Sequence, residues 1–395
     1  MERIVILEVG TAYTRGMVIQ PNERGSYEIL SIHEERSSGI KKSEIVNLQN
    51  ASVGIRKVID DLSYDSNTDI HSINLIYSGG DPQTEIISGM QPINSRNMLI
   101  EQQSIDSACR NAKAKELPEN RILIEDVLLD YILDDSRKVD NPIGMSAKSI
   151  SVNFMRLHSD KNRLETITNM LTDNSLEYEK IYNAGLCSAL GATTPQQRED
   201  GVLVINFGGG CTNWTAYVRK VPRCIGGIPI GGDNLTYDIL HATKTNNETA
   251  EKIKKQAGSA TLITEKQKLQ FQNNFSDQTI LLNDLSRVTN ARMDETIRII
   301  HEHVVNSGCI NELSAGVVIC GGGAALKNIT TLVSKIFQLP CTIANPPLSY
   351  PKVKPNHSTT AYAALLGAAQ CCTREAIAYE ASRKRKGFFS SLFSK

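Results

Sequence analysis

Long apolar runs are missing from this sequence. The most apolar stretch, near Ala361 to Cys372, is about half of the ~20 residues that a bilayer-spanning helix requires, so no transmembrane segment is expected. The nine cysteines include no Cys-x-x-Cys pair, and Met1-Glu2-Arg3-Ile4 begins no signal-peptide apolar region, so reduced thiols in a cytosolic chain are expected. A net charge is missing too: 43 Lys plus Arg balance 43 Asp plus Glu, which removes the overall basic field that gathers nucleic acid. Neither Gly-x-x-x-x-Gly-Lys-Ser/Thr nor Gly-x-Gly-x-x-Gly occurs at its glycine turns, which argues against P-loop and Rossmann nucleotide sites. His301-Glu302-His303 has the wrong helical spacing for a His-Glu-x-x-His zinc site.

What is present begins with length. At 395 residues the chain exceeds the roughly 250–300 at which one core stops growing, which implies two lobes or a core with an insertion. Two segments about 200 residues apart share one pattern of apolar run, small-residue turn and apolar run. The first spans Arg3 to Ile19 around Gly10-Thr11-Ala12-Tyr13, and the second spans Gly201 to Val218 around Gly208-Gly209-Gly210-Cys211-Thr212. Glycine at such turns allows close backbone approach, and consecutive turn amides form a concave anion nest. Either turn alone also suits an ordinary hairpin. Two facing nests suit a polyphosphate. A third cluster, Gly321-Gly322-Gly323-Ala324, follows the apolar run Val317 to Cys320 and precedes a helix-like run from Asn328 to Gln338, a turn on which a flat ligand can lie.

These three turns, in this order, resemble the actin/Hsp70/sugar-kinase superfamily, and within it the chain is similar to the FtsA family of bacterial cell-division proteins over nearly its whole length. Gly39 to Val46 resembles a family stretch after the first hairpins. Asp140-Asn141-Pro142-Ile143-Gly144-Met145-Ser146 resembles its DPVGMSG segment, Pro229 to Ile239 its PVGGDHVTNDI segment, and Ala250 to Lys254 its AExIK helix. The resemblance implies an α/β, actin-like two-lobed ATPase fold with an inserted FtsA-type subdomain and a C-terminal amphipathic helix. Residues 1–83 and 160–200 would form the first lobe, 84–159 the insert, and 201–370 the second lobe with a subdomain at about 234–300. Residues 371–395 would be a basic linker and membrane tail.

Carried over position by position, the resemblance implies ATP with Mg2+ as cofactors. Gly10, Thr11, Ala12, Tyr13 and Arg15 would hold phosphate with Gly208, Gly209, Gly210, Cys211, Thr212 and Asn213, and Gly232 and Asp233 would lie alongside. Glu251 and Lys254, three apart on one helical face, would reach the ribose or adenine edge, although a solvated salt-bridge face explains that spacing equally. Gly321, Gly322, Gly323 and Ala324 would back the base. Glu8 and Asn206 would stand nearest a metal. This chain departs from the superfamily in having Glu8 at the end of the first strand and amides, Asn206 and Asn213, at both acidic positions of the second motif. An amide takes no proton from water, so ATP binding with very slow or absent hydrolysis is expected.

The last thirteen residues, Arg383 to Lys395, carry five basic residues and no acid, which leaves residues 1–382 with a net charge of −5. At ~100° per residue Phe388, Phe389, Leu392 and Phe393 fall within about 140° of arc, opposite Ser390, Ser391, Ser394 and Lys395. With Arg385 and Lys386 directly before it, this turn suits an anionic membrane surface. A helix packed on its own core is the other explanation. The resemblance implies partners: the C-terminal tail of the tubulin-like protein FtsZ, bound between Asn234 and Ile300; a second copy, head to tail through the insert; and anionic lipids, with no nucleic acid. It places the protein on the cytoplasmic side of the inner membrane at the division site. A pilus-assembly platform resembling PilM and a small-molecule kinase remain as alternatives.

Overall fold

A computed structural model describes residues 2–94, 97–272, 276–346 and 359–392, with side chains up to Ser382. Two five-stranded sheets are built to one plan. In the first, Ile4–Val9 lies at the centre. It pairs antiparallel with Tyr13–Pro21, which pairs with Tyr27–Arg36, and parallel with Ser72–Tyr77, which pairs with Glu177–Asn183. In the second, Val202–Phe207 takes the central place, with Thr212–Val218 and Val221–Ile228 antiparallel on one side and Val317–Cys320 and Cys341–Ile343 parallel on the other. Both central strands are apolar but for one polar residue near the end, Glu8 in the first and Asn206 in the second, and are largely buried on both faces, as parallel-sheet strands covered by helices must be. One such cover is the helix Leu48–Ser66. Asn47 caps its start by accepting from Asn50 N–H, Asn67 ends it in the left-handed region, and Ala51, Ile55, Val58 and Leu62 form its buried stripe.

Inserted within the first lobe, between its strands Ser72–Tyr77 and Glu177–Asn183, lies a separate four-stranded sheet, in the order Gln83–Pro92, Ser149–Asp160, Arg121–Leu133 and Arg137–Val139. The helix Gln102–Lys113 packs on it at Gly89, where a Cβ would stand 2.1 Å from Ala112 N. Arg156, buried at 3%, is matched by Asp126 through two hydrogen bonds of 2.8 and 3.2 Å and by the Lys113 and Lys115 carbonyls, so its burial leaves no bare charge. This subdomain also touches the second lobe. Arg223 donates to both Asp130 oxygens, at 3.0 and 3.2 Å. Burial pushes the Asp130 carboxyl up, but Arg223 and Lys138 outweigh it and hold the group below its usual value.

The chain finally returns to the first lobe. The helix Ala363–Leu392 runs without a break through Cys371, where a linker was expected. Its first turns pack through residues 364–369 with Ile6, Met17 and Ile19 of the first sheet, so these join the first lobe and not the second, while Ala363 packs with Val202 and Val204 of the second sheet. This helix crosses the helix Ala184–Ala192 at glycines on both sides. A Cβ at Gly367 would stand 1.7 Å from Cys187 O, and one at Gly191 2.0 Å from Ala363 O. Gly367→Ala is therefore expected to cost about 1–3 kcal/mol of stability through overpacking. Thermal unfolding checks this, and an unchanged midpoint would contradict the tight crossing.

Candidate nucleotide site

The two lobes meet where the matching hairpin turns face each other. In the first, Gly10 N–H donates to Tyr13 O at 3.2 Å; in the second, Gly208 N–H donates to Cys211 O at 3.0 Å. A Cβ at Gly10 would stand 2.8 Å from Tyr13 O and one at Gly208 2.7 Å from Cys211 O, so both turns share the same demand for glycine. The turns also touch. A Cβ at Gly209 would come within 2.7 Å of Ala12 Cβ, and one at Gly210 within 2.3 Å of Thr11 Oγ1.

Neighbouring groups tie down the carbonyls of both turns. Ser37 Oγ donates to Gly10 O at 2.7 Å and Ser37 N–H to Ala12 O at 3.0 Å. Gly232 and Asp233, the first residues of the helix Gly232–Thr243, donate their N–H groups to Gly208 O at 3.0 Å and Gly209 O at 2.8 Å. A trans peptide points its N–H opposite its C=O, so the amides of Thr11, Tyr13, Gly209 and Gly210 are turned the other way, which makes each turn an anion nest.

These turns form part of the lining of a cavity of about 410 Å³. The structure brings nearly all the expected residues to it: Glu8, Gly10 to Tyr13, Arg15, Asn206, Gly208 to Asn213, Gly232, Asp233, Glu251, Lys254 and Gly321 to Gly323. Ala324 is the exception. It is buried at 2% in the second-lobe core and does not line the cavity. Gly321 sits at φ 81°, where a Cβ would lie 2.3 Å from Asn206 Oδ1, while the space above Gly322 is open. Sequence reasoning missed Ser78, Leu235, Met293, Thr296 and Lys327, which also line the cavity. Only Leu235, within the segment Pro229 to Ile239, carried a motif signal.

Lys254 organises one wall. Its ammonium donates to Gly232 O at 3.0 Å and Thr236 Oγ1 at 2.8 Å and lies 2.6 Å from Glu251 Oε2. The Glu251–Lys254 pair thus lines the cavity and is a salt bridge as well. Burial pushes the Glu251 carboxyl up, yet Lys254 and the Thr236 hydroxyl more than offset this and hold it low. Burial raises Asp233, against the pull of Lys254. At the floor, burial raises the Glu8 carboxyl despite Arg15, whose Nη1 is 3.7 Å from Glu8 Oε2. Arg15 also donates through Nε to Glu34 at 2.9 Å.

At the positions expected to hold magnesium, Glu8 faces the Arg15 guanidinium, while Asn206 donates to Ser188 Oγ at 2.8 Å and sets its oxygen beside Gly321. Among the described residues no three Asp, Glu, His or Cys side chains gather as metal ligands do. Trp214 packs inside its lobe, donating to His303 Nδ1 at 3.2 Å. Burial holds that imidazole neutral to lower pH than usual.

Solved structures share this architecture. The PilM–PilN type IV pilus biogenesis complex matches with a TM-score of 0.65 at 13% identity, over 93% of this chain and 97% of that one. MreB5 of Spiroplasma citri bound to ADP matches at 0.57 and 14%, over 93% and 95%. The MamK double helical filament matches at 0.53 and 10%, over 94% and 98%. At these identities the likeness concerns the fold alone. Two lobes with paired glycine turns across one cleft define an actin-like ATPase fold.

Sequence comparison narrows the class. The family described as "Cell division protein FtsA" matches residues 203–367, and "SHS2 domain inserted in FTSA" matches residues 79–157, together more than half of the chain. Curated relatives include cell division protein FtsA of Borreliella burgdorferi, 26% identical over 92% of this chain and 89% of its own length. That of Pseudomonas aeruginosa is 26% identical over 87% and 83%. The chain belongs to the FtsA family.

Since a Cβ at Gly210 would stand 2.3 Å from Thr11 Oγ1, Gly210→Ala is expected to push the lobes apart. Faster hydrogen exchange of the amides in 10–13 and 208–211 is the expected readout; unchanged protection there would mean that the contact does not hold the cleft closed.

Proposed function

We propose that this protein is an ATP-binding, filament-forming adaptor that anchors an FtsZ division ring to the inner face of the cytoplasmic membrane and recruits later division proteins. The observation that carries the nucleotide part is the pair of tied-down glycine turns facing one cavity. Preorganised amides bind a polyphosphate without reorganisation cost, and Gly321 to Gly323 leave an open backbone ledge for a base. Structures of related fold support this, since the MreB5 structures are bound to ADP and AMPPNP. Membership in a cell-division family supports the rest.

Chemistry at the cleft favours holding the nucleotide over cleaving it. Asn206 and Asn213 accept no proton, and Glu8 is engaged by Arg15, which leaves Asp233 as the carboxylate beside the second turn, with burial raising it against the pull of Lys254. Purified protein is expected to bind ATP and ADP and to release phosphate at a rate near that of the uncatalysed reaction. Lys254→Ala should weaken binding about tenfold by freeing the Gly232 carbonyl and loosening the helix start behind the second turn. An equilibrium binding assay with no ATP bound at millimolar concentration would remove this part of the proposal.

Self-association is supported by an exposed apolar tip on the inserted subdomain. Met98 and Leu99 on one loop and Ile143 and Met145 on another lie side by side, joined by the Leu99–Ser146 bridge. Membrane attachment rests on the basic, amphipathic C-terminal sequence. Phe393 lies outside the described residues, as do the side chains of Arg385, Lys386, Phe388, Phe389 and Leu392, while the helix backbone extends to Leu392. No helix among the described residues is long and apolar enough to cross a membrane. One short tail binds weakly and many in a filament bind firmly. A pilus-assembly platform is the second reading, favoured by the PilM likeness, and the tail sequence favours the first. A chain ending at Lys386 is expected to stay in the supernatant when sedimented with anionic liposomes and ATP, whereas the full chain pellets; equal pelleting would transfer weight to the pilus platform.

A further inference from the structure

We propose that Arg15 takes the place of the divalent cation at the floor of this cleft, so that a nucleoside polyphosphate binds without magnesium. The inference rests on the nucleotide reading above and concerns how the charge of the phosphates is met. Three neighbouring strands place Glu34, Arg15 and Glu8 in one row, since Glu8 is paired with Arg15 and Arg15 with Glu34 in the strand register. The guanidinium lies over the Tyr13 ring, 5.0 Å from its centroid, and 5.6 Å from that of Tyr362, and it lines the cavity. Rings on it, a carboxylate at 2.9 Å on its Nε and Glu8 at 3.7 Å on Nη1 fix its position before any ligand arrives. A permanently charged planar group held in this way suits a phosphate oxygen pair.

The same row disfavours a metal. Glu8 is the one carboxylate at the floor, and its Oε2 accepts no hydrogen bond, the usual invitation to a cation. Arg15 Nη1, however, stands 3.7 Å from that oxygen, so an ion bound there would face a fixed positive charge a few ångströms away. The second lobe offers only neutral amide oxygens, of which Asn213 Oδ1 likewise accepts no hydrogen bond. Counted from the first glycine and the last residue of each turn, Asn206 occupies the place of Glu8 and Asn213 that of Arg15, and their register pairing repeats that of Glu8 and Arg15. Where the first lobe has an ion pair, the second has two neutral amides, one already committed to Ser188. The remaining cavity acids have resident cations as well: Lys254 and Lys255 lie at 2.6 and 3.4 Å from Glu251, and Lys254 also acts on Asp233.

The test is equilibrium binding of ATP and ADP to the full chain in excess magnesium and in excess EDTA. The wild type is expected to bind within about threefold in the two media. Arg15→Met should bind at least about tenfold more weakly in EDTA and regain part of that in magnesium, while Arg15→Lys, which keeps the charge and loses the planar fork, should fall between Arg15→Met and the wild type in EDTA. Thermal unfolding of each variant checks that the Glu34–Arg15–Glu8 row still folds, and the wild-type comparison stands whatever the variants do. Wild-type binding that falls tenfold or more in EDTA would overturn the inference and leave the nucleotide reading intact, as would metal-free binding by Arg15→Met equal to that of the wild type. Absence of binding in both media would overturn both.

Discussion

Two glycine turns from opposite lobes touch, with only the small side chains of Thr11 and Ala12 between them, and much of the remaining architecture serves that contact. Gly209 and Gly210 leave no room for a Cβ of their own against Ala12 Cβ and Thr11 Oγ1, so glycine on the second-lobe side lets the lobes approach this closely. Each turn keeps its shape because its carbonyls are engaged elsewhere, by Ser37 in the first lobe and by the start of the helix Gly232–Thr243 in the second. That helix is in turn held by Lys254, which bonds its first carbonyl and the Thr236 hydroxyl while pairing with Glu251. Amide dipoles aligned on one cavity are the result, and they need no flexible side chain to place them.

The two lobes repeat one sheet order, yet they have diverged where charge matters. Equivalent positions carry Glu8 and Arg15 in one lobe and Asn206 and Asn213 in the other. A buried ion pair strengthens a fixed geometry at the cost of desolvation, and the pair here offsets that cost internally through Glu34 and the two tyrosine rings. Two amides in the matching place carry no such cost and provide no base.

Outside the cleft, Ile225 of the second sheet packs into the first-lobe core, and Ala189 of the helix Ala184–Ala192 packs with Val202, Val204 and Tyr217. The inserted subdomain reaches the second lobe through Asp130 and Arg223, and the C-terminal helix passes the helix Ala184–Ala192 at Gly191 and Gly367. Neither contact was legible in the sequence, because a salt bridge across about 90 residues and a helix crossing across about 175 leave no local periodicity. The place of residues 364–369 in the first lobe was hidden for the same reason: an alanine-rich run announces a packed helix and not the surface on which it packs.

The sequence by itself determined the local chemistry. The spacing of Gly10 and Gly208 within apolar runs, the triple glycine at Gly321 and the motif segments carried both the family and most of the cavity lining, since turns of this kind demand glycine wherever they occur. Amides at 206 and 213 could likewise be read directly as a loss of acid chemistry. Only the tertiary structure decided which groups meet. It turned Ala324 into the core, brought Ser78, Met293 and Lys327 to the cavity, and set Arg15 against Glu8. Which face of a helix or strand looks onto a cleft depends on contacts between segments distant in the chain, and side-chain type at one position does not encode them.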